Sequence, residues 1–218
     1  MTTVPLNSQL SDYQPILNIG IDFDNTIVSY DALFHKVGCE RGWLGAEVPI
    51  NKSDVRNYLR RAGREDDWTE MQGYVYGARM AEAAMFPGVK EFLRACRAAG
   101  HSVSIISHKT RAPFRGEHYD LHRAAIAWLE EQGFFAEADL GLARENVFFE
   151  LTKEAKLGRI SAQRCTHFID DLPEFLAEPA FPENVKRVLF DPNDLYGEEK
   201  RFARVRSWEE ALMLIGKW

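Results

Sequence analysis

Apolar residues fall along this chain in two alternating rhythms. Short, near-continuous apolar runs occupy residues 16–23 (ILNIGIDF), 102–107 (SVSIIS), 147–149, 167–169 (HFI) and 185–190 (VKRVLF). Runs of that length and continuity suit strands buried on both faces, since a strand with one wet face alternates apolar and polar residues instead. The stretches between them carry helical spacing. Residues 87–99 place Val89, Phe92, Leu93 and Cys96 on one face, with Pro87 at the start and Gly100 at the stop. Residues 119–132 do the same with Leu121, Ala125, Trp128 and Leu129 ahead of Gly133, residues 153–163 with Leu157 and Ile160, and residues 208–215 with Ala211, Leu212 and Ile215. Strands that alternate with helices predict an α/β fold in three layers, a parallel sheet with helices on both faces.

One stretch breaks the rhythm. Residues 30–85 hold no convincing strand and are rich in Arg, Trp and Tyr. Their place, after the first strand and before the Pro87 helix, predicts a small helical cap inserted at the sheet's edge. The chain is therefore read as a core of residues 1–29 and 86–218 carrying a cap of residues 30–85. At 218 residues it is long enough for one sizeable domain with such an insertion.

Composition narrows the function classes. Lys and Arg number 27 against 33 Asp and Glu, a formal charge of −6, which disfavours a broad nucleic-acid face. Cys39, Cys96 and Cys165 are too few and too scattered for a disulfide framework or a Cys-rich zinc site, and read as thiols in a reducing compartment. The stretch MTTVPLNSQLSDYQP has no basic start or apolar core, and no apolar run approaches a membrane span, so the expected location is cytoplasmic.

Chemistry concentrates where the strand runs end. The first closes on IDFDNTIV, with Asp22 and Asp24 two residues apart. Burying carboxylates there is unfavourable unless a cation or hydrogen-bond donors compensate them, and in open α/β sheets the carboxyl ends of strands are where ligands bind. Asn25 and Thr26 begin a turn whose backbone N–H groups suit phosphate oxygens. Taken alone the pair is ambiguous, since Asp22 as a turn cap and Asp24 as a solvated acid explain the same letters. The second run ends at Ser107, a hydroxyl placed beside the first strand's end. HFIDDL puts Asp170 and Asp171 at another strand end, either as a helix-capping pair or as two repelling acids that a hard divalent ion would reconcile. Lys156, with Lys153 one turn earlier, offers a cation to offset these acids, and spacing alone does not choose between the two lysines.

In that order, DFDNT, IIS, Lys156 and IDD resemble the four motifs of the haloacid dehalogenase-like (HAD) hydrolase superfamily, and FPGVKEFLRACRAAG looks like the helix that precedes its second motif. The resemblance runs from about Ile16 to Leu172, and RVLFDP with VRSWEEAL fits the last strands and helix. It implies a Rossmann-like core, Mg²⁺ and an aspartyl-phosphate intermediate. Asp22 would be the nucleophile and Asp24 the acid–base. The Asp22 side chain, the Asp24 carbonyl and Asp170 would ligate Mg²⁺ with Asp171 in support, while Ser107 and Lys156 would hold phosphoryl oxygens. Dehalogenases of the family typically lack the second aspartate, so Asp24 favours phosphoryl transfer. His108 stands where the family often has Asn; with Lys109, Arg111 and Arg115 it makes a basic loop, read either as a contact to substrate anion or as a solvated loop.

The expected activity is Mg²⁺-dependent hydrolysis of a small phosphomonoester such as a sugar phosphate or nucleotide, by a monomer or homodimer with no nucleic-acid or membrane partner. A phosphotransferase or mutase of the same superfamily and a catalytically silent binding module are the alternatives. The cap's Trp43, Trp68, Tyr74, Tyr76, Arg56, Arg60, Arg61, Arg64 and Arg79 suit either a substrate-facing lid or a small core of the cap's own with solvated arginines.

Overall fold

The computed structural model describes residues 15–45 and 47–216; residues 1–14, most of the stretch read above as lacking a leader, lie outside them. In chain order, β1 (Asn18–Ile21) is followed by the two-residue strand β2 (Val28–Ser29), the helices α1 (Asp31–Glu40), α2 (Lys52–Arg61) and α3 (Glu65–Tyr76), and a second two-residue strand, β3 (Ala84–Met85). Then come α4 (Val89–Ala98), β4 (Ser102–His108), α5 (Leu121–Glu131), β5 (Val147–Glu150), α6 (Lys153–Ala162), β6 (His167–Asp170), the short α7 (Pro173–Leu176), β7 (Lys186–Phe190), β8 (Ala203–Val205) and α8 (Trp208–Ile215).

Six strands pair in parallel in the order β5-β4-β1-β6-β7-β8. The chain builds outward from β1 through β4 to β5, then crosses back to lay β6 on the other side of β1. That reversal makes a switch point, and the crevice at the carboxyl ends of β1 and β6 is where such sheets bind ligands. Both faces are covered. On one, Ile19, Ile21, Ile105, Ile169 and Val188 pack with Phe92, Trp128 and Trp208 from α4, α5 and α8; on the other, Ile106, Phe168 and Leu189 pack with Leu157 and Ile160 of α6 and Phe175 and Leu176 of α7. The three-layer α/β/α reading therefore holds.

The helix ends follow local chemistry. Asn51, Asp120, Thr152 and Ser207 each accept a hydrogen bond from a first-turn N–H of α2, α5, α6 and α8, satisfying donors that a helix leaves unpaired. Gly88 precedes α4 with φ at +85°, a left-handed turn that costs glycine nothing.

The structure departs from the sequence pattern at two places. β3 falls inside the stretch expected to be strand-free; it pairs antiparallel with β2, Val28 opposite Met85, and ties the two ends of the helical stretch together. A two-residue ribbon is too short to leave a periodic signal. β8, on the sheet's edge, comes from FARVR, whose alternation is equally short.

Between the ribbon strands the three helices pack on one another around aromatic side chains. Phe34 is fully buried, with the rings of Trp68 and Tyr76 at 4.9 and 5.6 Å and Tyr30 at 6.3 Å. Trp68 thus belongs to the interior, whereas Trp43 is half-buried, with the guanidinium groups of Arg41 and Arg64 over its ring at 4.7 and 4.9 Å. Among the arginines, Arg60 and Arg64 pair with Glu65 and Asp67, and Arg79 with Glu40 and Glu82. Gly73 on α3 and Gly77 just after it let the loop after β4 come close: a Cβ at Gly73 would lie 2.6 Å from Pro113 and one at Gly77 2.5 Å from Tyr119.

Candidate active site

Register brings the first pair of acids together. Ile21 of β1 lies beside Ile169 of β6, so Asp22 and Asp170, one residue further on, come level at the switch point, and the Asp22 N–H donates to the Ile169 carbonyl at 2.9 Å. Since successive strand residues point to opposite faces, both acids turn toward the α6 side. There Lys156, in the second turn of α6, is buried and donates to Asp22 Oδ1 at 2.6 Å and Asp170 Oδ2 at 2.7 Å, with the face of Phe175 4.1 Å away. Thr152 caps α6 and fixes its start, which places Lys156 one turn in. Lys153 points elsewhere, to Glu178 at the surface. Of the two lysines that spacing left open, the structure brings Lys156 to the acids.

The charges do not balance at this floor. Burial pushes Asp22 up to about 7 in spite of Lys156, and the Asp170 charge adds to the rise. Asp171 stands well above the ordinary carboxylate range for the same reasons, burial first and then Asp170 and Asp22. Lys156 is raised: burial opposes its charge, but the two carboxylates outweigh it. Two acids thus share the Lys156 amine, and Asp171 beside them, eased more by Lys52 than by Lys156, adds to an excess of negative charge that a cation would offset. The donors are carboxylate oxygens, which suit a hard ion, and Mg²⁺ is typically held by one or two carboxylates with water and phosphate completing its shell. Asp22 and Asp170 supply two, and the chemistry of this set fits Mg²⁺. Among the described residues no three Asp, Glu, His or Cys side chains gather into a ready-made metal cage.

Asp24 lives in a different environment. Lys109 Nζ donates to both of its oxygens at 2.9 Å, and the Tyr30 hydroxyl donates to Oδ1 at 2.6 Å. Burial alone would raise its pKa, but the Lys109 charge together with the two donors holds Asp24 below the ordinary range. Lys109 is itself buried, its backbone N–H bonded to the Glu150 carbonyl and its ammonium 4.9 Å from the Tyr76 ring centre and 5.5 Å from that of Phe23. Burial and the Asp24 charge likewise raise Tyr30 well above its ordinary value.

The remaining candidates separate. Ser107 is buried at the carboxyl end of β4. Thr26 is fully buried, its hydroxyl 3.4 Å from Asp171 Oδ1 and its carbonyl accepting from Trp208 Nε1. Asn25 takes a left-handed backbone (φ +60°) and its Oδ1 accepts from Lys52 Nζ at 3.4 Å. His108 is exposed and turns away, with Nε2 3.2 Å from the Leu151 carbonyl oxygen. Lys109, from the loop read either as a substrate contact or as solvated, is buried and holds Asp24. Arg111 and Arg115 sit at the surface with Asp120 and Asp66.

Two residues were not legible as site residues in the sequence. For Tyr30 the signal available in the chain is its place six residues after Asp24. Lys52, the first residue of α2, brings its ammonium against the turn at Asn25 and among the rings of Tyr30, Phe34 and Tyr76, at 5.5 to 5.9 Å. Burial opposes its charge, but Tyr76, Asp171 and Asp24 raise its pKa on balance.

No protein-family model matches the chain, and no curated protein matches it in sequence. Solved structures do match. A HAD-superfamily hydrolase from Ehrlichia chaffeensis is 9% identical, with 94% of this chain and 98% of that one aligned at a TM-score of 0.55. A HAD-type hydrolase from Bacillus subtilis, solved with magnesium bound, is 11% identical over 93% of this chain and 99% of its own, at 0.56. A predicted phosphoglycolate phosphatase from Haemophilus somnus is 13% identical over 91% and 97%, at 0.52. At these identities the likeness establishes the fold, which is that of the HAD-superfamily hydrolases.

Proposed function

We propose that the protein is a Mg²⁺-dependent phosphomonoesterase that works through an aspartyl-phosphate on Asp22. The observation that carries the reading is the pairing of unlike carboxylates at one strand end. Asp22 lies level with Asp170 against Lys156, while Asp24, two residues on, is held apart by Lys109 and Tyr30. Two acids with opposed environments are how one site divides nucleophile from acid–base.

In this reading Asp22, the Asp24 carbonyl and Asp170 hold Mg²⁺, with Asp171 in support. When bound, the ion offsets the repulsion between carboxylate and phosphate and orients the ester. An Asp22 oxygen attacks phosphorus as the bond to the leaving oxygen breaks, and Asp24 gives that oxygen its proton. Asp24 then takes a proton from water as the water oxygen attacks phosphorus and the bond to Asp22 breaks, releasing inorganic phosphate and restoring both acids. Lys156 and Ser107 keep the phosphoryl oxygens in line. The Lys109–Asp24 contact corresponds to the second half of this cycle, with Asp24 as the base; the first half requires a protonated Asp24 released from that grip.

The test is phosphate release from a simple aryl phosphate with Mg²⁺ and no acceptor but water. Asp22→Asn should lower kcat by at least about 10³-fold, the scale on which a nucleophile acts, with an unchanged circular dichroism spectrum. An active Asn variant sinks the nucleophile assignment, and turnover that needs an added acceptor favours a transferase.

A further inference from the structure

Beside the acids lies a cavity of about 220 Å³, between the start of α2 and the loop that follows β7. Asn25 and Asp171 line it on the site's side, Lys52, Ser53 and Arg56 line it from α2, and Glu174 of α7 with Asp191 and Leu195 after β7 complete the wall. Its volume holds about seven waters at liquid density and falls below the roughly 300–1,000 Å³ of sites for drug-sized ligands. A group the size of a monosaccharide matches this volume.

The lining decides the chemistry. Lys52 and Arg56 are cations, but Asp31, Asp171, Glu174 and Asp191 also border the cavity, so a second phosphate on the substrate would meet more negative than positive charge. A wholly apolar leaving group would strip water from all six charged groups, a cost that contact with Phe86, Phe190 and Leu195 on the apolar part of the wall offsets only in part. Hydroxyl groups meet neither objection, since each donates to a carboxylate and accepts from an ammonium, guanidinium or amide. Lys52 is held in place from two sides, by Asn25 Oδ1 at 3.4 Å and by the surrounding rings, while its backbone N–H donates to Asp31 at 2.9 Å. It is the cation of α2 that reaches the turn directly after Asp24.

We propose that this cavity is the leaving-group pocket for a small polyhydroxylated phosphate ester, a sugar or polyol phosphate, and that Lys52 is a specificity-determining contact in it. The proposal rests on the phosphatase reading, and binding measured apart from turnover distinguishes the failure of one from the failure of the other. Titration calorimetry on the Asp22→Asn protein with Mg²⁺ should show ribose 5-phosphate or glucose 6-phosphate binding at least tenfold more tightly than both AMP and inorganic phosphate. Adding Lys52→Met should weaken the sugar phosphate about tenfold and inorganic phosphate less than threefold, and Lys52→Arg should restore part of the loss. Near-UV circular dichroism checks that the Met variant is folded, and Ser53→Ala gives a second, milder probe of the same wall.

AMP binding as tightly as the sugar phosphates, or sugar phosphates binding no better than inorganic phosphate, overturns the substrate class. An equal loss for inorganic phosphate in Lys52→Met overturns the role of Lys52 by placing it on the phosphoryl group. If the wild-type protein also releases no phosphate from an aryl ester, the phosphatase reading itself falls and takes this proposal with it.

Discussion

Lys156 and Lys109 are both buried lysines clamped on aspartates at the carboxyl end of the sheet, yet they do opposite things. Lys156 stands between two acids and leaves a surplus of negative charge at the ends of β1 and β6. Lys109 stands against one acid, with Tyr30 beside it, and leaves Asp24 an ionised and fully bonded carboxylate. The difference comes from topology. α6 approaches the sheet face toward which Asp22 and Asp170 both point, whereas Lys109 and Tyr30 enter from the loop after β4 and from the base of the helical stretch. Charge number at each clamp, rather than burial alone, sets the two environments apart: two acids on one amine at the first, one acid on one amine at the second.

The strongest way to break this comparison is Lys156→Met. Removing one partner of a buried ionic cluster costs about 3–5 kcal/mol, so denaturant melts in a chelator should show a loss of that size, and added Mg²⁺ should recover part of it. A variant as stable as the parent would mean that Asp22 and Asp170 are not coupled through this amine.

Phe34→Ala tests whether the helical stretch stands on its own core. The side chain is fully buried among aromatic rings, and truncating such a Phe costs about 3–5 kcal/mol. If thermal melts show two transitions and only one moves, the helices of residues 31–76 unfold separately from the sheet; a single shifted transition makes them one cooperative unit.

Tyr30→Phe sharpens the Lys109 side. Losing a hydrogen bond to a charged acceptor costs about 1.5–3 kcal/mol. Asp24 is ordinarily near 3.8 and lies lower in the fold, so its stabilising contribution is present above that ordinary value and is lost as pH falls through the lowered one. Without the tyrosine hydroxyl the folded value rises and that window narrows. Acid-limb melts of the two proteins should therefore converge at low pH and differ most at neutral pH; parallel curves would show that Tyr30 does not act through Asp24.

The smallest expected effect is at the helix–loop approach. In Gly73→Ala the new Cβ would lie 2.6 Å from Pro113, and overpacking of this kind costs about 1–3 kcal/mol, offset by about 1 kcal/mol of helix propensity. A net loss near 1 kcal/mol in chemical melts is expected, and a gain would show that the loop gives way freely.

Much of the frame was legible in the chain. Continuous apolar runs marked five of the six sheet strands, and the helices of the layers began and ended within a few residues of their caps, because burial on both faces and capping are local demands. The strand-end letters at Asp22, Ser107 and Asp170 were legible as well, since the carboxyl end of a parallel strand is a fixed address once the strand is known, whereas the choice of Lys156 over Lys153 was not. The ribbon of β2 with β3 and the edge strand β8 were not, being too short for a period to register. Nor were the partners of Lys109, His108 and Lys52: Lys109 reaches Asp24 across 85 residues of sequence and His108 reaches Leu151 across 43.

The sequence by itself determined the α/β alternation, the helical insertion and the acids at the strand ends, because each is written in spacing along the chain. Only the tertiary structure decided which cation serves which acid. It set β6 beside β1 so that Asp170 came level with Asp22, folded the loop after β4 inward so that Lys109 became the holder of Asp24, and laid the start of α2 across the turn at Asn25. Those choices depend on which distant segments pack together, and packing is a property of three-dimensional proximity that no one-dimensional period carries.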